Sequence, residues 1–226
     1  MGFIYAFIHL YIRSNFRIMI LYFILISTCL IASNSQEILL DIYNKTDWEL
    51  IDTIDNKNVL EVQNSLNDDK YLMIKSLIED TKNILNVIQS VTKYDEIISN
   101  KNVATKLLFS DNDTLYCLQK IKNSVPFIRD RQYIFKLYQV NNNRIDWYLI
   151  NKDHPLFIDY LSDDIHTLTY GAGSWEIQEK YDKHILIYRM YVDEEVNLPL
   201  VFIKKLRSNH ALDIFNDVLN WSKGDR

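Results

Sequence analysis

Four histidines, His154, His166, His184 and His210, are the side chains best suited to general base chemistry, since an imidazole beside a carboxylate or nucleophile moves protons near neutral pH. None stands at motif spacing from a partner. His154 precedes Pro155 and His166 follows Asp163-Asp164, both in loop-like sequence, while His184 opens a strand and His210 lies on the last helix. Each therefore reads as structural or solvated. Asp163-Asp164 offers hard oxygen ligands but lacks the repeated oxygens of a calcium loop, so no metal site is expected. Of two cysteines, Cys29 falls in the apolar N-terminal stretch and Cys117 would be alone beyond it, which leaves no disulfide or cysteine metal site. Cys117 reads as a small buried hydrophobe on a strand.

The charge of most interest is Arg131, within Val-Pro-Phe-Ile-Arg-Asp-Arg-Gln-Tyr-Ile-Phe-Lys-Leu at 125–137. Pro126 cannot donate to a sheet ladder and biases Val125 toward an extended conformation, so a turn or strand edge precedes a strand opening at Arg131. Tyr133, Phe135 and Leu137 then share one face, and Gln132, Ile134 and Lys136 the other. An inward face of Arg131, Tyr133, Phe135 and Leu137 suits a cavity wall that is apolar and polar at one end. Two readings of Arg131 stand: it meets a ligand's polar head or Glu176 at the rim, or it pairs with Asp130 or a neighbouring strand and pins the turn.

The elements that must position this strand are those of one domain. Residues 1–35 contain Arg13 and Arg17 and no acid, and the apolar run at 18–32, interrupted by Ser27 and Thr28, gives way to Ala-Ser-Asn-Ser. At about fifteen residues the run is short for a membrane span of roughly 20, which favours a cleaved secretory signal; a retained anchor and lipidation at Cys29 are the other readings. Residues 36–226 form the expected domain, exported to a periplasmic or extracellular space or held at a membrane by the leader. Beyond residue 35 the chain carries 23 basic and 30 acidic side chains, which excludes a phosphate-backbone binder. Fifteen tyrosines with only 4 Gly and 3 Pro point to a sheet-rich ordered protein.

Along the chain, a short amphipathic helix at 37–44 precedes three strands near 48–55, 60–62 and 71–78, separated by Asp-Asn-Lys-Asn and Asn-Asp-Asp turns. The period then changes. Asp80 can cap a helix carrying Ile84, Leu85, Val87, Ile88 and Val91, and a second short helix covers 93–98. Six strands follow, at 101–110, 114–124, 131–140, 144–151, 167–180 and 184–193, with one long connection at 152–166. Pro199 suits the first turn of a long helix running to about Ser222, with Ala211, Leu212, Phe215, Val218 and Leu219 on one side. The order implies an α+β fold in which a curved antiparallel sheet of about nine strands wraps round the terminal helix, with space left between them.

Over residues 40–222 the chain resembles a START domain, of the helix-grip superfamily. The likeness rests on Pro126 followed by Asp130-Arg131-Gln132-Tyr133, on Gly173-Ser174-Trp175-Glu176-Ile177, on the strand from Tyr188 to Asp193, and on Leu198-Pro199 before the last helix. It implies a monomer with a hydrophobic internal cavity closed by the terminal helix and a neighbouring loop or two. Gln132 stands where the family usually has Asp, and Leu137 where some sterol-binding members place an inward arginine. A simple aliphatic or acyl chain therefore fits better than a sterol anchored by charge.

The ligand-contacting residues expected on this basis are Arg131, Tyr133, Phe135, Leu137, Trp175, Tyr188, Met190, Phe202, Leu206 and Phe215, with Trp175 either cavity wall or ordinary core. Tyr188, Met190, Phe202, Leu206 and Phe215 read as core residues taken singly, and as a set they contribute some of the lining. The expected partner is a lipid or other hydrophobic small molecule, with transient membrane contact, no nucleic acid and no cofactor. An enzyme of the same superfamily, working through His166, Glu176 or Tyr188, is the alternative. Polar side chains converging inside the cavity would mark it.

Overall fold

The structure, a computed structural model, describes residues 34–66, 69–79, 83–123, 129–193 and 200–224, with the side chains of residues 34 and 200–203 excepted. The N-terminal leader, the Asp80 cap, the Val125-Pro126 turn, Leu198-Pro199 and the Phe202 side chain thus lie outside the described residues. Among those described, no helix is long and apolar enough to cross a membrane.

The chain runs α1 (Asn34–Asn44), β1 (Glu49–Ile54), β2 (Lys57–Gln63), β3 (Lys70–Ile78), α2 (Ile84–Gln89), a 3-10 turn (Val91–Lys93) and α3 (Tyr94–Ile97). It continues through β4 (Val103–Asp111), β5 (Thr114–Ile121), β6 (Arg131–Asn141), β7 (Arg144–Leu149), β8 (His166–Thr167), β9 (Gly171–Lys180), β10 (Lys183–Val192) and α4 (Leu200–Lys223). The strands form one sheet in the order β1-β2-β3-β10-β9-β7-β6-β5-β4, every neighbour antiparallel, and β8 pairs with β6. The helix-grip arrangement expected from the element order is therefore present.

Turn chemistry closes the hairpins. Asp55 and Asn56 both take positive φ, 47° and 63°, between the paired Ile54 and Lys57, which is the mirror-image turn whose twist matches the strands it joins. Tyr181 and Asp182 repeat it between Lys180 and Lys183, with φ of 53° and 58°.

The expected sheet of about nine antiparallel strands is present with one short strand added, and one strand boundary is corrected. The sheet has ten strands, and the tenth, β8, is parallel: Arg131 pairs with His166 and Gln132 with Thr167. The single strand expected at 167–180 is broken at 168–170. At Thr169 the backbone turns to α1, Ser35 Oγ donating to Thr169 O at 3.1 Å and accepting from Gly171 N at 3.3 Å, while Leu168 N still donates to Gln132 O of β6 at 2.9 Å and Tyr170 O accepts from Asp193 N at 2.9 Å. This break lets Leu168 turn inward, where it is buried.

The sheet's inner face meets α4. Ala211, Leu212, Phe215, Val218 and Leu219 join Phe135, Leu137, Trp175, Tyr188 and Met190 in one cluster, with Cys117 fully buried beside them. The outer face has separate covers: α1 contributes Ile38, Leu39 and Ile42 against Tyr71, Ala172 and Tyr191, and the long connection contributes Phe157 against Leu118 and Ile134. Cys117 therefore packs as a hydrophobe, and burial pushes its thiol up to about 12.

Two charged residues pin α4. Arg207, 5 % exposed, donates to both carboxylate oxygens of Asp69 at 3.1 and 2.8 Å and to the carbonyls of Lys70 and Val192. Burial pushes the Asp69 carboxyl up, but Arg207's hydrogen bonds and charge outweigh it and leave the group below its ordinary range. Three turns later Asp217 accepts from Ser99 N at 2.7 Å and Ser99 Oγ at 2.9 Å, tying the helix to the segment after α3. Partners of this kind are what make buried charge tolerable.

Gly173 shows how tightly the wall is built. A Cβ there would lie 2.4 Å from Arg189 O and 2.6 Å from the Trp147 ring, so only glycine leaves room for both the β10 carbonyl and that indole. Gly173→Ala is expected to cost about 1–3 kcal/mol through forced displacement of both the Arg189 carbonyl and the Trp147 ring. Urea denaturation of the variant against the parent chain measures it.

Candidate functional site

Between the inner face of the sheet and α4 lies a cavity of about 300 Å³, at the small end of the range of roughly 300–1,000 Å³ typical of small-molecule sites. The alternation of β6 builds one wall. Arg131, Tyr133, Phe135 and Leu137 all line it, as the two-residue period of the strand requires. Trp175 from β9 and Tyr188 and Met190 from β10 form a second wall, with their rings stacked 4.0 Å apart at 15° for Trp175 and Tyr188. Leu206 lines the cavity but is 43 % exposed, which puts it at the opening. Phe215 does not line it: fully buried, it stacks behind Trp175 at 5.8 Å. Of the ten expected contacts, eight thus share this lumen, Phe215 backs it, and the Phe202 side chain is not described.

Gln132 and Glu176 follow the opposite phase of their strands. Gln132 is fully buried on the outer face, donating to Ser162 O at 2.7 Å and Thr167 Oγ1 at 3.0 Å while its own oxygen accepts from Ser162 N. It clamps the long connection to the sheet. Glu176 is also outside, 2.7 Å from Arg189 Nη1, with Tyr43 of α1 stacked on the neighbouring Arg144 at 3.4 Å. Burial pushes its carboxyl up, but bonds from Gln178 and Arg189 outweigh that and leave it lowered. The reading that places Glu176 at the cavity rim with Arg131 is corrected: one residue from Trp175 along a strand is the other side of the sheet. Asp130, the other expected partner of Arg131, accepts from Asn123 N at 2.9 Å.

The polar groups that do share the lumen come from elsewhere. Tyr133 donates its hydroxyl to Gln119 Oε1, and Gln119 Nε2 donates onward to Thr105 Oγ1 at 2.8 Å. Tyr94 donates to Ile88 O. Asn209, His210 and Asp213 enter from α4, and Asn100, Asn102, Lys122 and Asn123 from the segments beside β4 and β5. Burial, then the charge of Arg131, lowers His210 from 6.5 to about 4, so its imidazole is neutral at pH 7. His210, partly buried, therefore faces the lumen instead of lying remote from it. Its place four residues after Leu206 on a helix was the available signal. Burial also lowers Arg131 and raises Tyr133 and Tyr188, whose phenols stay protonated. Of the side chains named for an enzyme, Tyr188 alone lines the cavity among the described residues. No three His, Cys, Asp or Glu side chains among them converge as a metal would require.

No family model matches the sequence, and no curated protein does. Solved structures match in fold. The chain superposes on a STAR-related lipid transfer protein from Xanthomonas axonopodis with a TM-score of 0.65 and 10 % identity, over 79 % of this chain and 99 % of that one. Human StAR-related lipid transfer protein 5 gives 0.61 at 13 % identity, over 82 % and 91 % of the two chains. Human STARD10 gives 0.61 at 14 % identity, over 79 % and 76 %. The chain therefore has the START-type helix-grip fold, its sheet curved round the terminal helix and a cavity between them.

Proposed function

We propose that this protein binds a lipid or other hydrophobic small molecule in the cavity beneath α4 and carries it across an aqueous compartment as a binding protein. The support is that, of His166, Glu176 and Tyr188, the side chains named for acid-base work, Tyr188 alone lines the cavity among the described residues, and its phenol stays protonated. One observation carries the reading: a lumen of about 300 Å³ whose wall is aromatic and aliphatic on the sheet side, with polar groups gathered toward Arg131 and His210. The lipid-transfer proteins that share the fold support it. Each methylene moved from water into such a wall is worth about 0.8 kcal/mol, enough for a medium-length chain to bind without any charge pairing. The same reading has the domain acting as a monomer, meeting membranes transiently, and reaching its compartment through the apolar segment at residues 18–32.

The reading is tested by filling the lumen. Met190, buried on β10 and facing the cavity, is the position to enlarge. Met190→Trp should lower the affinity for a fluorescent medium-chain fatty acid at least tenfold while leaving the urea midpoint close to that of the parent. Unchanged uptake by a folded Met190→Trp variant would place the probe elsewhere and contradict the proposal.

The same lumen makes stability depend on pH. The unfolded chain takes up the His210 proton near 6.5 and the folded chain near 4, so the unfolded state binds more protons between these values. Folding stability should therefore fall as the pH drops from about 6.5 to about 4. His210→Gln should remove this part of the slope, gaining about 1–2 kcal/mol on the parent at pH 5 compared with pH 7. Urea titrations of both proteins at the two pH values check it.

A further inference from the structure

The hydroxyls on the cavity wall are not equally provided for. Those of Tyr133 and Tyr94 have protein acceptors, Gln119 Oε1 and Ile88 O. Tyr188 is 4 % exposed, its ring held flat against Trp175, and its hydroxyl makes no hydrogen bond with any described residue. It is nonetheless not sealed into the core, because Tyr188 lines the lumen. Buried hydroxyls in folded proteins find partners, so one left open onto a cavity points to what fills the cavity. The phenol is a donor at neutral pH: burial raises it, and the neighbouring Tyr133 and Tyr94 raise it further.

The lumen also limits size. At about 300 Å³ it suits one chain or one small ring system, not the two acyl chains of a phospholipid. Phe135, Leu137 and Met190 beside Tyr188 supply the apolar contacts. We infer that the ligand is a compact amphiphile carrying a hydroxyl or carbonyl oxygen that enters the cavity and hydrogen-bonds to the Tyr188 hydroxyl, instead of a plain hydrocarbon tail. The inference rests on the hydrophobic-ligand reading above and narrows it.

Two sets of probes separate a chain from a ring as the source of that oxygen. Decane is compared with 1-decanol and 5-decanol, and p-menthane with menthone, each by displacement of a fluorescent fatty acid from the full chain and from Tyr188→Phe. Phenylalanine keeps the stack on Trp175, and a urea midpoint confirms that the variant is folded. At least one oxygenated probe should lose about tenfold in affinity in Tyr188→Phe, with its unsubstituted parent unchanged. A loss confined to a decanol identifies a chain ligand, and one confined to menthone a ring. If every oxygenated probe and its parent change by the same factor, within twofold, the Tyr188 hydroxyl does not read the ligand and the inference is overturned. If neither the fluorescent fatty acid nor any probe binds the parent chain, the hydrophobic-ligand reading fails first and this inference falls with it.

Discussion

The stack of Phe215, Trp175 and Tyr188 is the contact on which the rest of the molecule depends. Phe215 on α4 lies 5.8 Å from Trp175 on β9, and Trp175 lies 4.0 Å from Tyr188 on β10. Three near-parallel rings make a rigid spacer between helix and sheet, each ring carrying a large apolar surface with few rotamers to lose. The spacer holds the helix against β9 and β10. The lumen lies beside this stack, lined by Trp175 and Tyr188 together with Phe135 and Leu137 of β6 and by residues of α4.

Polar anchors at two points of α4 keep that spacing from collapsing. Arg207 is fixed by Asp69 and two backbone carbonyls, and Asp217 by Ser99. Both anchors are directional, so sliding the helix inward to fill the lumen would break hydrogen bonds to buried charge, a loss of several kcal/mol per anchor. An apolar helix face alone would gain by closing the space. The combination of a greasy face with charged pins lets a cavity persist in an otherwise close-packed domain.

Much of this was legible in the sequence because strands report their faces directly. The alternation from Arg131 to Leu137 placed four wall residues correctly, and the same rule, applied strictly, separates Glu176 from Trp175. Pairing Glu176 with Arg131 gave more weight to opposite charge than to strand phase. The outer face, which holds Glu176 with Arg189 and Tyr43, is built by α1 from more than a hundred residues away, and no local pattern announces it. The break at 168–170 has the same origin, since Ser35 of α1 takes up the Thr169 carbonyl and the Gly171 amide. The lumen's polar rim was hidden for a different reason. Asn100, Asn102, Lys122 and Asn123 sit in connecting segments, where side-chain direction follows from tertiary packing and not from any period. Phe215 shares the apolar face of α4 with the residues that flank the lumen, so the helical period leaves core and contact both open for it. Trp175 stands between it and the lumen, which only the packed structure decides.

The central claim is that the space beneath α4 is held open for a hydrophobic guest. Native mass spectrometry of the protein purified from its own cell, under conditions that preserve noncovalent complexes, tests it most directly. The account predicts a protein peak accompanied by a single-guest adduct, whose extracted contents are small amphiphiles. Consistent recovery of the bare chain, together with no uptake of added medium-chain fatty acid, would contradict it.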